Sequence, residues 1–140
     1  LNLLQELRQQ LELTYLFVTH HLLVVKYISN RLAVMYLGKV VEIAPTPQLF
    51  VQASHPYTHA LLSGIPIPDA SQRSRRIVLQ GDVPSPLNPP AGCRFHTRCP
   101  FVIDRCREEE PLLERFTETH RVACHRKDEM ERLVRDRFGR

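Results

Sequence analysis

The cysteines of this chain are confined to one short region. All four of them fall between positions 93 and 124 of the 140 residues, at Cys93, Cys99, Cys106 and Cys124. The segment just before them, residues 81–92, reads GDVPSPLNPPAG, and proline and glycine at that density exclude a regular helix or strand. This region is poor in apolar residues and so lacks a hydrophobic core of its own. Four thiolates bound to one metal centre would crosslink it and stabilise its fold instead. The sequence therefore predicts a loop-rich region held together by its cysteines.

Three explanations of the cysteines stay open on the residues alone: structural disulfides, unrelated buried thiols, and a zinc or iron–sulfur site. Unrelated buried thiols would not normally cluster in a segment so poor in apolar residues. Structural disulfides need an oxidising compartment, and nothing in the sequence indicates secretion. Zinc suits four cysteines in a tetrahedral site, although zinc ribbons use close C-x2-C pairs that are absent here. Iron–sulfur clusters accept the wider C-x5-C-x6-C-x17-C spacing. Three nearby histidines could each replace a cysteine ligand: His96, His120 and His125.

A second informative stretch is TYLFVTHHLLVV at residues 14–25. Its apolar run predicts a strand at Tyr15–Thr19 that is buried on both faces, followed by a helix over residues 21–29. Ligands of open α/β sheets bind just beyond the carboxyl ends of strands, so His20 is a candidate functional residue. The alternative is that His20 and His21 only cap the following helix.

The remaining pattern predicts short helices and strands in alternation. Gly38 and Lys39 predict a tight turn between the strands Arg31–Leu37 and Val40–Ala44, which together would form a hairpin. Pro47 at a first helical position predicts a helix that runs to about Gln52. Further predicted elements are a helix at Leu1–Leu13, a helix entered at His55-Pro56, a strand at Ile77–Gln80, a short helix or turn at Pro111–Phe116, and a charged, frayed helix at Asp128–Phe138.

Composition narrows the class of protein. With 43% hydrophobic and 24% charged residues the chain is globular, and a net charge of +4 is too small to indicate nucleic-acid binding. No apolar run approaches the roughly 20 residues of a membrane-spanning helix, and no secretory leader is visible, so a cytosolic protein is expected. The chain starts inside a predicted helix and lacks a G-x-x-x-x-G-K-[ST] phosphate loop. We expect the C-terminal part of a longer protein that cannot bind ATP in the usual way alone.

Several segments together resemble the ATP-binding subunits of oligopeptide/dipeptide ABC importers: THHLLVVKYISNRLAVMYLGKVVE, HPYTHALL, GDVPSPLNPPAGCRFHTRCPF and HRVACH. In that family a histidine at a strand end contacts the ATP γ-phosphate and helps to hold the attacking water. The resemblance implies this catalytic and γ-phosphate-binding role for His20, although His21 stands where the family usually has aspartate. It also implies that the four cysteines are the ligands of a [4Fe–4S] cluster, with zinc as the alternative.

The resemblance implies an α/β fold class: a C-terminal fragment of a P-loop ABC-type nucleotide-binding domain, followed by a loop-rich, cysteine-containing extension. The expected domains are part of the ABC ATPase core over 1–45, a helical connector and linker over 46–76, a cysteine-rich extension over 77–127, and a charged terminal helix or tail over 128–140. The complete protein would use ATP with magnesium to drive oligopeptide or dipeptide uptake, with nickel as a further cargo. This fragment alone is predicted to be inactive.

The implied partners are a second ATP-binding subunit and transmembrane permease subunits. The protein would lie at the cytoplasmic face of the inner membrane as a peripheral subunit, touching the membrane only through these partners and binding no nucleic acid.

Two other classes of function compete with this interpretation. One is a non-enzymatic interaction module that binds zinc or an iron–sulfur cluster through the cysteines. The other is a nucleic-acid binder built on the arginine-rich cysteine region, whose stacking aromatics are few beyond Phe95 and Phe101. A metal site at His55 and His59 is disfavoured because Pro56 keeps the two from sharing one regular helix face.

Overall fold

The computed structural model describes residues 1–65 and 76–139. Its helices are α1 (Asn2–Gln10), α2 (Leu22–Ile28), α3 (Thr46–Val51), α4 (Pro56–Ser63), α5 (Asp104–Glu108) and α6 (Met130–Phe138). Its strands are β1 (Arg31–Tyr36), β2 (Lys39–Pro45), β3 (Glu114–Arg115) and β4 (Arg121–Val122). Short 3₁₀ turns lie at His96–Arg98 and Lys127–Glu129. Most of the predicted linker, residues 66–75, lies outside the described residues.

The strands form one antiparallel sheet in the order β1-β2-β4-β3. The predicted hairpin is confirmed, with Tyr36 opposite Lys39 and a bulge between Val34 and Met35. Leu37 and Gly38 both have positive φ angles, 44° and 78°, which is the backbone that a two-residue hairpin turn with the right twist requires. Strand β4 then pairs with the far side of β2, so the last third of the chain extends the sheet of the first third.

The main core lies between the β1–β2 hairpin and the cysteine region. Its buried members are Val34, Tyr36, Val41, Ala44, Leu49 and Phe95. The ring of Phe95 meets that of Tyr36 edge to face, with 5.1 Å between ring centroids. A second cluster joins Phe101 to Met130 and Val134 of α6. The predicted terminal helix is therefore present over Met130–Phe138 and packs against the cysteine region.

The predicted strand at Tyr15–Thr19 is also wrong. These residues have no regular structure, and Leu16 and Val18 are 94% and 95% exposed. A strand needs a neighbouring strand to pair its backbone groups. In the described part of the chain no strand runs beside this segment, so its apolar content is not enough to make it one.

Three smaller predictions differ from the structure as well. Residues 77–80 have no regular structure and do not join the sheet; Ile77 is nevertheless buried, and its N–H donates to Ser63 Oγ at 2.9 Å. The stretch Pro111–Phe116 contains strand β3 where a helix or turn was expected, because β4 offers it a pairing edge. The first helix is shorter than Leu1–Leu13 and ends at Gln10.

Candidate functional site: a cavity lined by four cysteines

The four cysteines line a single small cavity. Its volume is about 10 Å³, which is room for one water molecule. All four are free thiols. The other described residues that line it are three histidines, four apolar residues and one arginine, with no carboxylate among them: His55, His96, His125, Pro56, Phe95, Phe101, Met130 and Arg126. All four cysteines thus border one space, and their role as ligands of one centre stays a prediction.

Close backbone approach brings the first and third cysteines to the cavity. The N–H of Cys93 donates to the carbonyl of Cys106 at 2.8 Å. Gly92, directly before it, has a φ of +67°, and a Cβ atom there would lie 2.5 Å from the Cys106 carbonyl oxygen. Only glycine fits this position without strain, so Gly92 lets the loop lie against helix α5.

Backbone N–H groups also point at two of the sulfur atoms. Phe101 N–H donates to Cys99 Sγ, and Arg126 N–H donates to Cys124 Sγ, each at 3.4 Å. Hydrogen bonds of this kind stabilise a thiolate more than a thiol, and they are the outer contacts that tune metal-bound cysteines.

Burial keeps the thiols of Cys93, Cys99 and Cys124 protonated when nothing is bound to them. It raises the pKa of Cys93, and it raises the pKa of Cys99 and of Cys124 to about 12. The backbone N–H donors oppose this shift without overcoming it. A bound cationic centre would have to displace the thiol protons, because only the thiolate is a good metal ligand.

The kinds of group that line the cavity favour a metal centre, whereas the arrangement of its side chains and its small volume do not. Four thiols with backbone N–H donors and no lining carboxylate suit a thiolate-bound group. Within residues 1–65 and 76–139, however, no three histidine, cysteine, aspartate or glutamate side chains are grouped so that they could hold a metal ion. A zinc ion would need sulfurs about 2.3 Å from the metal. A metal centre therefore requires the walls of this cavity to move.

The histidines proposed as substitute ligands have other partners. His120 Nε2 lies 2.7 Å from Glu42 Oε1, and both side chains are fully buried. His96 Nδ1 lies 2.9 Å from the Cys93 carbonyl oxygen, and His125 Nε2 lies 2.9 Å from that of Glu109. The sequence reasoning missed Glu42, although a carboxylate inside the apolar run VVEIA was a visible signal.

The segment His55-Pro56-Tyr57-Thr58 begins helix α4. The sequence predicts this helix but not the cap that His55 forms. His55 is the N-cap of α4, and its Nδ1 accepts a hydrogen bond from the N–H of Tyr57 at 3.1 Å. Burial lowers the pKa of His55 to about 4, so the ring is neutral at neutral pH. Since His55 caps the helix in which His59 lies, the two do not form an i, i+4 pair on one helix face.

His20 lies away from the cysteine cavity, in the exposed segment before α2. Its ring stacks against that of His21, with 4.2 Å between centroids. Thr19 Oγ1 accepts a hydrogen bond from the N–H of His21, which is the N-cap of α2 but makes no side-chain cap bond. The structure thus places His20 at the start of a helix, in reach of solvent, and its role in nucleotide binding stays a prediction.

Comparison with known proteins gives a consistent result. Residues 41–106 match the family model of the oligopeptide/dipeptide transporter C-terminal region. The chain is 48% identical over 125 residues to a probable peptide ABC transporter ATP-binding protein of Sinorhizobium fredii, covering 89% of this chain and 35% of that protein. It is 51% identical over 125 residues to a putative peptide import ATP-binding protein of Brucella ovis, and 48% identical over 127 residues to the oligopeptide transport ATP-binding protein AppF of Bacillus subtilis, covering 89% of this chain and 39% of each relative.

The chain is therefore similar to ATP-binding proteins of peptide ABC transporters. Within it, residues 41–106 match the model of the oligopeptide/dipeptide transporter C-terminal region, so the resemblance noted in the sequence is confirmed. The chain spans 35–39% of the length of these relatives. In the described part of the chain no helix is long and apolar enough to cross a membrane.

Proposed function

We propose that this chain is the C-terminal part of an ATP-binding subunit of a peptide ABC importer. The observation that carries the proposal is about 50% identity to such proteins over 89% of the chain. The relatives' names refer to peptides and not to nickel, so peptide is the cargo we propose. The complete subunit would use ATP and magnesium, pair with a second ATP-binding subunit, and dock on permease subunits at the cytoplasmic face of the membrane.

The exposed apolar segment before α2 supports assembly with further protein. Leu16 and Val18 are almost fully exposed, and Phe17 beside them is 40% exposed. Contiguous exposed apolar side chains of this kind mark a surface that is covered in the functional state. We infer that a nucleotide-binding sheet pairs with this segment and thereby fixes His20 at a strand end, where it would position the γ-phosphate and the attacking water.

An ATPase assay on the complete subunit tests this role. The variant His20→Ala is expected to lower kcat by about 10²–10³-fold while ATP still binds, because the side chain acts on the transition state. Tyr27→Ala, at an exposed ring on α2, is the matched control and should keep its activity. The purified 140-residue chain is expected to have no ATPase activity. Full turnover by His20→Ala, or turnover by the chain alone, would contradict the proposal.

We further propose that the four cysteines bind one thiolate-held centre, a [4Fe–4S] cluster in preference to zinc. The support is their common cavity, the absence of lining carboxylates, and N–H donors aimed at Cys99 and Cys124. The wide C-x5-C-x6-C-x17-C spacing, without a close C-x2-C pair, favours a cluster over zinc. A stand-alone metal-binding module gains no support from the relatives, so the centre is assigned to the importer subunit.

The spectrum of anaerobically purified protein distinguishes these centres. A cluster predicts broad absorbance near about 400 nm that is lost on oxidation, and equal amounts of iron and acid-labile sulfide. Cys106→Ser should lose the absorbance, whereas Ser85→Ala on the exposed proline-rich loop should keep it. A colourless protein that releases zinc would replace the cluster by zinc, and a protein free of both metals would refute the centre altogether.

A further inference from the structure

One buried carboxylate connects the sheet to both walls of the cysteine cavity. Glu42 lies in β2 and His120 lies directly before β4, and neither side chain has any exposed surface. Acidic side chains are almost never fully buried unless their oxygen atoms are paired. The partners of Glu42 therefore indicate why it is there.

The carboxylate of Glu42 receives three hydrogen bonds. Oε1 accepts from the N–H of Ser54 at 2.6 Å and lies 2.7 Å from Nε2 of His120, while Oε2 accepts from the N–H of His55 at 3.2 Å. The arrangement assigns the proton of His120 to Nε2, because a carboxylate can only accept. The other nitrogen, Nδ1, is buried with no hydrogen-bond partner among the described residues, so the contact with Glu42 is the polar contact that this ring makes there.

These partners belong to two different walls of the cavity. His55 lines the cavity directly at the start of α4. On the other side, His120 is followed by β4 and then by Cys124, and the N–H of Ala123 donates to the carbonyl of Val41 at 2.8 Å. Glu42 thus fastens the α4 wall and the Cys124 wall to the same strand, across 13 and 78 residues of sequence.

We propose that Glu42 and His120 are positioning residues that hold Cys124 in the cavity with the other three cysteines and couple that cavity to the β1–β2 hairpin. The functional consequence of this positioning rests on the thiolate centre proposed above. The positioning of Cys124 itself does not depend on whether a centre is bound. Because Glu42 bonds residues of both walls, a movement of either wall would move its carboxylate and thereby reach the hairpin through β2. His120 is therefore a residue that acts through Cys124 and is not itself a ligand.

Site-resolved thiol labelling of the metal-free chain tests the proposal. N-ethylmaleimide is applied under native conditions and each cysteine is quantified by mass spectrometry. In Glu42→Gln and His120→Leu, Cys124 should label at least about 10-fold faster relative to Cys106 than in the wild type, since each variant removes a bond to a charged group. His120→Gln keeps a side-chain N–H donor and should label nearly as the wild type does.

The matched control is Leu49→Ala, which removes a fully buried side chain without touching the carboxylate. It should accelerate all four cysteines together through global unfolding. The proposal is overturned if Glu42→Gln accelerates the four equally, as Leu49→Ala does, or leaves Cys124 unchanged.

Hydrogen exchange in the wild-type chain needs no variant and covers the case in which Glu42→Gln does not fold. The N–H groups of Ser54 and His55 precede α4, and among the described residues their hydrogen-bond acceptor is the Glu42 carboxylate. Slow exchange at both supports the positioning role, and fast exchange at both overturns it. Because the protein is metal-free in both experiments, their outcome is separate from whether a cluster binds.

Discussion

Acidification should weaken this fold chiefly through one histidine. Burial lowers the pKa of His55 from 6.5 to about 4, so the folded state binds fewer protons than the unfolded state between these values. Stability is then fully present above about pH 6.5 and is lost as the pH falls toward 4. At 1.36 kcal/mol per pKa unit, the difference of roughly 2.5 units corresponds to about 3 kcal/mol.

The variant His55→Asn isolates this effect. The asparagine side chain can still cap α4 by accepting the Tyr57 N–H, but it does not titrate. Urea unfolding curves at about pH 7.5 and pH 4 give the free energy of unfolding of each protein. The wild type should lose about 3 kcal/mol more than His55→Asn over this range. Equal losses in the two proteins would refute the assignment of a buried neutral imidazole.

Three further predictions concern packing and the thiols. Gly92→Ala should lower the free energy of unfolding by about 1–3 kcal/mol, because its Cβ would meet the Cys106 carbonyl. Gly81→Ala, at a similar φ of +76° but with nothing within 4 Å, should cost less in the same urea experiment. Leu49→Ala should cost about 2–5 kcal/mol because the side chain is fully buried, whereas Leu87→Ala, at 95% exposure, should stay within about 0.5 kcal/mol. Finally, the raised pKa of Cys99 predicts that the metal-free fold loses stability as the pH rises from about 9 toward 12, and Cys99→Ala should weaken that dependence; identical curves would contradict it.

Local signals in the sequence were sufficient for the hairpin and the helices that follow it. Gly38 supplies the turn, and Pro47 and Pro56 mark the first turns of α3 and α4, so each element is specified by residues close in sequence. The likeness to peptide importer subunits was equally local, since it rested on short, distinctive segments.

Elements that depend on distant partners could not be predicted in this way. Among the described residues the Tyr15–Thr19 segment has strand composition but no neighbouring strand, while the two-residue strand β4 forms on the edge of β2 and the two-residue strand β3 forms on the edge of β4. The pairing of Glu42 with His120 joins positions 78 residues apart, and no spacing rule indicates it. Convergence of the cysteines was predicted, but the small size of their cavity was not.

The central claim is that this chain belongs to a subunit that powers peptide import. Uptake of a radiolabelled tripeptide by cells lacking the gene for the complete subunit tests it most directly. Restoring the wild-type gene should restore uptake, and restoring it with His20→Ala should not, although both proteins accumulate to the same level. Undiminished peptide uptake in the deletion strain, or full rescue by His20→Ala, would contradict the account.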